Sequence, residues 1–172
     1  PSIALIAPLG EESVHIVARR AANLRAPQDL RGRTLSIGVP GSGTEQIVRK
    51  ILEHFGVHDG QYTRRVHTPD EARAALERGE IDAAFYVAAM RLPVVDALLA
   101  RGDMDLLSLG DPSRTGSALE GIRIDAPYLK PTVIPERAYG ERPSEPVGTV
   151  SASALLVARR DVDEELIQDI TA

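Results

Sequence analysis

Apolar residues follow two spacing patterns along this chain, and these patterns predict its strands and helices. Short apolar runs bounded by glycine, proline or charged residues predict strands, whereas apolar residues spaced three or four apart predict amphipathic helices. The predicted strands are 2–7, 13–18, 34–38, 62–66, 81–87, 104–109 and 153–158, with a loop at 9–12. The predicted helical segments are a short turn at 27–30, helices at 46–55, 68–79 and 92–101, a weak helix at 112–121 and one that begins at 161.

The order of these segments predicts the fold class. Strands and helices alternate from Thr34 to Leu109, which is typical of right-handed βαβ units and of an α/β fold with a mostly parallel sheet. Residues 81–87 (IDAAFYV) are almost all apolar, as expected for a strand at the centre of a parallel sheet. Residues 127–150 contain five prolines and two glycines, and we expect them to form an extended connection.

Composition excludes several classes of function. The chain has 172 residues with 43% hydrophobic and 26% charged residues, so it can bury a globular core. It has no cysteine, which excludes thiol catalysis, disulfides and cysteine-based zinc sites. Its net charge of −5, without a basic stripe, argues against nucleic-acid binding. None of its apolar runs approaches the roughly 18 residues of a membrane span.

Motifs of catalysis and metal binding are also missing from the sequence. The four histidines lack the spacing of a helical zinc motif, and no serine lies in a nucleophile-elbow pattern. The glycines at 38–43 are not followed by the lysine of a phosphate-binding loop. We therefore expect a protein that is not an enzyme and that carries neither a metal nor a cofactor.

The turn from Gly38 to Glu45 (GVPGSGTE) is the clearest candidate for a binding site. It joins a predicted strand to a predicted helix, so backbone N–H groups and the positive end of the helix dipole are available to an anion such as a carboxylate. The candidate ligand residues are Gly41, Ser42, Gly43 and Thr44. The same residues also fit a capping box from Ser42 to Glu45, and both roles are compatible.

Two further positions are candidates for contact with a ligand. Val87 and Ala88 end the apolar strand, and ligands of open α/β sheets lie beyond the carboxyl ends of the strands. Aromatic residues make up only 3% of the chain, and Tyr86 and Tyr128 are the main aromatic candidates. Tyr86 fits the core of the strand, so we expect Tyr128, on the extended connection, to contact the ligand.

Seven motifs, in this order, resemble the TAXI family of TRAP-transporter solute receptors. They span nearly the whole chain and are VHIVAR at 14–19, DLRGR at 29–33, IGVPGSGTE at 37–45, ALERGEIDAAF at 75–85, LLSL at 106–109, PTVIP at 131–135 and LLVAR at 155–159. The resemblance implies a type II periplasmic-binding-protein fold, a three-layer αβα arrangement in two lobes joined by crossover strands. It also implies that a small anionic solute, an amino acid or a dicarboxylate, is bound and passed to a TRAP-type membrane permease.

The same resemblance implies a division of the chain. Residues 1–33 would form crossover strands and the lead-in to the second lobe, 34–126 the second ligand-binding lobe, and 127–172 a return crossover with partial first-lobe elements. The N-terminal part of the first lobe would be missing. The implied location is periplasmic or extracytoplasmic, with a membrane anchor allowed in the full-length protein.

Two local departures from the family pattern leave another role open. Gly10-Glu11 replaces an aromatic residue followed by proline, and Arg91-Leu92 replaces small or hydroxyl residues. The alternative is a ligand-sensing or effector domain of a sensor or transcription regulator with the same fold.

Overall fold

A computed structural model describes residues 3–159 and residue 162, and these residues form one mixed sheet with helices on both faces. The strands are β1 (Ile3–Arg19), β2 (Thr34–Ser36), β3 (Thr63–Arg65), β4 (Ala83–Ala88), β5 (Met104–Leu106), β6 (Lys130–Ile134) and β7 (Val147–Arg159). The helices are α1 (Gly43–His54), α2 (Pro69–Arg78), α3 (Pro93–Ala100) and α4 (Ala118–Asp125), and short 3-10 turns occupy Arg20–Ala22 and Pro27–Leu30. This arrangement confirms the α/β class.

The sheet order is β3-β2-β4-β1-β7-β6, and β5 also pairs with β1. Strands β3, β2 and β4 are parallel, as the βαβ pattern predicts. The other pairings, β1 with β4, β5 and β7 and β6 with β7, are antiparallel. The expectation of a mostly parallel sheet is therefore wrong, because the long strands β1 and β7 run against their neighbours. The 81–87 segment has a parallel neighbour on one side only.

Strand β1 is a single strand of 17 residues, where the sequence predicts two strands and a loop at 9–12. Residues 3–13 pair with β7, and two register shifts lie between Leu5 and Ala7 and between Pro8 and Gly10. The turn-like residues of this stretch are accommodated by these irregularities, so they do not end the strand. The result is a two-stranded ribbon that continues beyond the rest of the sheet.

Each face of the sheet has its own hydrophobic core. One core contains Leu35, Val48, Phe85 and Ile122 and lies under α1 and α4. The other contains residues of α2 and α3 such as Leu76 and Leu98, packed on Val17, Ala84 and Tyr86. Adjacent residues of β4 thus belong to opposite cores, because side chains alternate across a strand.

The helices differ in how well their starts were predicted. Helix α2 lies within the predicted 68–79 segment and begins with a capping box, in which Thr68 Oγ1 accepts from the Glu71 N–H and the Glu71 carboxylate accepts from the Thr68 N–H at 2.8 Å. Helix α4 begins after Ser117, whose hydroxyl accepts from the Glu120 N–H, so it lies further along the chain than the predicted 112–121 segment.

The extended connection predicted at 127–150 is in part regular structure, since it contains β6 and the start of β7. The helix predicted from 161 lies outside the described residues. None of the described helices is both long and apolar enough to cross a bilayer. The division of the chain at 33/34 and 126/127 stays a prediction, and one sheet contains strands from all three segments.

Candidate functional site

Three helices begin around one cavity at the carboxyl edge of the parallel strands. Helices α1, α2 and α3 follow β2, β3 and β4, so their N-termini meet at that edge, where open α/β sheets bind ligands. The cavity has a volume of about 290 Å³. Its lining consists of Ser36, Gly38, Val39, Ser42, Thr44, His67, Thr68, Pro69, Ala72, Phe85, Tyr86, Val87, Ala88 and Leu92.

The start of α1 leaves hydrogen-bond donors free at this cavity. Ser42 is the N-cap, and its hydroxyl oxygen accepts from the Glu45 N–H at 3.1 Å. The backbone N–H groups of Gly43 and Thr44 and the Thr44 hydroxyl have no acceptor among the described residues. Two amides, two hydroxyl groups and the positive end of the helix dipole therefore lie within a few residues of one another.

Glu45 would oppose an anion at this helix start, but its charge is compensated. The carboxylate accepts from the Gly41 N–H at 2.6 Å, from Arg49 Nε at 3.2 Å, and lies 2.6 Å from an Arg64 nitrogen. The Gly41 bond, followed by the arginines, lowers the pKa of Glu45. The capping box is thus built one residue out of register, since Glu45 reaches Gly41 and not Ser42. The Gly41 N–H is consequently not available to a ligand.

Gly38 lets the turn close tightly over the end of β2. Its φ is +93°, and an added Cβ would lie 3.1 Å from Ser42 Oγ and 3.2 Å from Thr44 Cβ. A side chain at this position would therefore press on two residues that line the cavity. Glycine is required here both by the backbone conformation and by the close approach.

Strand β4 supplies the opposite wall. Val87 and Ala88, the two positions predicted at the strand end, are half-buried and line the cavity. Tyr86 also lines it, and the Tyr86 side chain is 3% exposed. Its hydroxyl is buried without a hydrogen-bond partner among the described residues, and burial raises its pKa.

Tyr128 lies elsewhere. It is 52% exposed and lines a separate cavity of about 520 Å³ with Arg49, Lys50 and Tyr62 along α1. The structure therefore brings Ser42, Thr44, Val87 and Ala88 together and leaves Tyr128 apart. Gly41 and Gly43 are in the same turn as Ser42 without lining the cavity.

A series of hydrogen bonds from Arg91 through Tyr139 to His15 supports the loop that leads from β4 to α3. Tyr139 accepts from the Arg91 N–H at 3.2 Å, and the Tyr139 hydroxyl lies 2.7 Å from His15 Nε2. His15 is fully buried, and burial lowers its pKa, which favours the neutral imidazole. Arg91 has a φ of +63°, so the loop takes a conformation that needs this support.

Several lining residues were not singled out from the sequence. They are Ser36, His67, Thr68, Phe85 and Leu92. The sequence predicts Thr68 as the first residue of a helix and not as a neighbour of the α1 turn. In parallel βαβ units every helix begins at the same edge of the sheet. This rule is the signal that places Thr68 and Leu92, at the starts of α2 and α3, near Ser42 at the start of α1. Among the described residues no group of three or more His, Asp or Glu could hold a metal ion.

Solved structures similar to this one are periplasmic solute-binding proteins. The sulfonate-binding protein SsuA of Methylobacillus flagellatus KT matches 99% of this chain at 16% identity with a TM-score of 0.54. An ancestral arginine-binding protein bound to arginine matches 98% at 17% identity with a TM-score of 0.55. The aliphatic sulphonate-binding protein SsuA of Escherichia coli matches 88% at 17% identity with a TM-score of 0.50. The class defined by the fold is thus the periplasmic-binding-protein type.

The chain belongs to the NMT1-like family, which it matches over residues 2–172. It covers 39% of the Methylobacillus protein, 40% of the Escherichia coli protein and 55% of the arginine-binding protein. The general resemblance to solute receptors is confirmed, whereas the TAXI family remains a prediction.

Proposed function

We propose that this chain is a solute-binding lobe of an extracytoplasmic receptor and that its cavity takes the acidic group of a small carboxylate-bearing solute. The observation that carries the proposal is the pair of unpartnered N–H groups at Gly43 and Thr44, beside a cavity where three helices begin. An anion at such a helix start gains hydrogen bonds and a favourable dipole. No step of catalysis and no cofactor is part of this function.

The charges around the turn support an anion. Glu45 is 8% exposed and is held by Gly41, Arg49 and Arg64, so its carboxylate is turned to its own loop and is absent from the cavity lining. Two arginines thus balance the one acidic group of the first turn. Among the described residues no carboxylate lines the cavity, so none competes there for the donors of Ser42 and Thr44 or for the adjacent Gly43 N–H.

The receptor role implies a membrane permease as the partner. The motif resemblance favours a TRAP-type permease, whereas the similar Methylobacillus protein is the sulfonate-binding protein of an ABC transporter. The TRAP-type partner and the periplasmic location therefore remain part of the proposal. A transport assay in vesicles that hold either permease class, with the full-length receptor added, distinguishes the two.

The binding site itself is tested by titrating the ¹⁵N-labelled chain with small carboxylates and following backbone amide signals. We expect the Gly43 and Thr44 amides to shift with saturation, on the order of millimolar. Thr44→Val removes the hydroxyl with little change in shape and should weaken binding about tenfold or more, as for loss of one hydrogen bond to a charged group.

Thr132→Val serves as the matched control, since Thr132 lies in β6 at the far edge of the sheet. It should leave the titration unchanged. If no carboxylate among amino acids, dicarboxylates and monocarboxylates moves the Gly43 and Thr44 signals, the proposed function is wrong.

A further inference from the structure

The cavity offers no charged side chain to a second charge on the solute. Of its lining residues, none is Asp, Glu, Lys or Arg, and His67 is the one imidazole. Phe85, Val87 and Leu92 give the wall beyond the α1 turn an apolar character. A second carboxylate or an ammonium group placed there would lose its hydration without gaining an ionic partner.

The Tyr86 hydroxyl is a polar group on this apolar wall, and among the described residues it and His67 Nδ1 are the buried polar side-chain atoms of the lining without a hydrogen-bond partner. Buried hydroxyl groups almost always have a hydrogen-bond partner, so an unpartnered one at a cavity needs an explanation. Its raised pKa keeps it protonated at neutral pH, and it can donate to or accept from a neutral group.

Tyr139, a buried tyrosine on the same face of the sheet as Tyr86, differs from Tyr86 because its hydroxyl has hydrogen-bond partners. His15 pairs with Tyr86 across β1 and β4, and the His15 ring is bonded to Tyr139, which in turn accepts from the Arg91 N–H. Tyr139 is thus satisfied within the protein, whereas the hydroxyl of Tyr86 is not. The partner that Tyr86 lacks within the fold is one that a ligand in the cavity can supply.

We propose that the solute is a monoanion with an apolar body that carries one uncharged oxygen, and that Tyr86 recognises this oxygen. The inference rests on the proposed function, because the acidic group is placed at Gly43 and Thr44. It narrows the solute class implied by the family resemblance, since it disfavours dicarboxylates and amino acids. The acidic group is the carboxylate of the proposed function, and a sulfonate is the other acidic group that accepts from such backbone amides.

The test compares ligands of six carbons in the same amide titration. Hexanoate, adipate and 6-aminohexanoate share one carboxylate and six carbons and differ at the far end, which is a methyl, a carboxylate or an ammonium group. We expect hexanoate to bind about tenfold more tightly than the other two, because they bring a charge to an apolar wall. Hexanesulfonate distinguishes the two acidic groups.

A second series tests Tyr86. The 4-oxo and 5-oxo derivatives of hexanoate place one neutral oxygen at successive positions, and at least one should bind about threefold or more tightly than hexanoate. Tyr86→Phe should remove this gain, so that within this variant the oxo acids bind no more tightly than hexanoate. Tyr128→Phe, in the separate cavity, should preserve the gain. Melting temperatures confirm that both variants are folded.

The outcomes separate the inference from the function on which it rests. If adipate or 6-aminohexanoate binds as tightly as hexanoate, the inference that the solute is a monoanion is wrong, whereas the proposed binding site at Gly43 and Thr44 is supported. If no oxo acid gains affinity, or the gain survives Tyr86→Phe, Tyr86 does not recognise the solute. If none of these ligands shifts Gly43 and Thr44, the proposed function fails as well.

Discussion

The turn before α1 can take its shape only with glycine at position 38. The sequence shows only part of the reason for this requirement. A glycine between a strand and a helix predicts a turn, but the contacts of an added Cβ with Ser42 and Thr44 are tertiary facts. The sequence indicates the turn as a candidate site, and Ser42 and Thr44 of this turn line a cavity. The sequence could not show which glycine closes the turn.

Gly38→Ala should therefore lower the free energy of unfolding by about 1–3 kcal/mol, because it adds a left-handed strain and a close contact. It should also weaken carboxylate binding, since Ser42 and Thr44 must move. Urea denaturation and the amide titration measure the two effects.

Gly41→Ala is the matched control for this change. Gly41 has a φ of +79°, but an added Cβ would meet nothing within 4 Å. Both variants therefore have the backbone strain of a positive φ. The difference between their losses of stability reports the contact of the added Cβ at position 38 with Ser42 and Thr44. Equal losses of stability and binding in the two variants would contradict a special role for Gly38.

At the scale of elements, local signals were reliable where a few adjacent residues decide the outcome. The capping box of α2 and its end at Gly79 are set by residues within one turn of the chain. The start of α4 was misplaced because the Ser117-Glu120 cap was overlooked. The loop predicted at 9–12 was wrong because the strand that pairs with it lies about 140 residues away.

The β4–α3 loop depends on a contact of this distant kind, between Arg91 and Tyr139. Tyr139→Phe removes the acceptor of the Arg91 N–H and the partner of His15, so it should cost about 1–3 kcal/mol of unfolding free energy. Chemical denaturation measures the loss.

Tyr86→Phe is the matched comparison, as a buried tyrosine of the same face whose hydroxyl has no partner. It should leave stability unchanged or slightly raised, since it removes an unsatisfied polar group. A loss as large as that of Tyr139→Phe would mean that the Tyr86 hydroxyl is bonded in solution.

At the scale of the whole molecule, the β1–β7 ribbon exposes apolar side chains. Ile3, Leu5, Leu155 and Val157 are 49 to 63% exposed, and Leu5 lies directly opposite Val157. Apolar patches with free strand edges favour association between chains. The isolated chain should self-associate as its concentration rises, as measured by analytical ultracentrifugation.

Leu5→Thr with Val157→Thr should reduce this association while keeping the strand propensity of both positions. Ile124→Thr is the control, because Ile124 is 85% exposed on α4, away from the ribbon. Association that is unaffected by the double variant, or equally reduced by the control, would place the contact elsewhere.

The sequence by itself determined the α/β class, the start of α2 at Thr68, and a glycine-rich turn, ending at Glu45, that leads from a strand to a helix. These features depend on residues close together in the chain, so their pattern carries the information. Tertiary structure decided the antiparallel pairing of β4 with β1, the continuous β1 strand, and the presence of Tyr86 and not Tyr128 at the cavity. Those outcomes depend on which distant segments pair and in what register, and a single sequence contains no local signal for that.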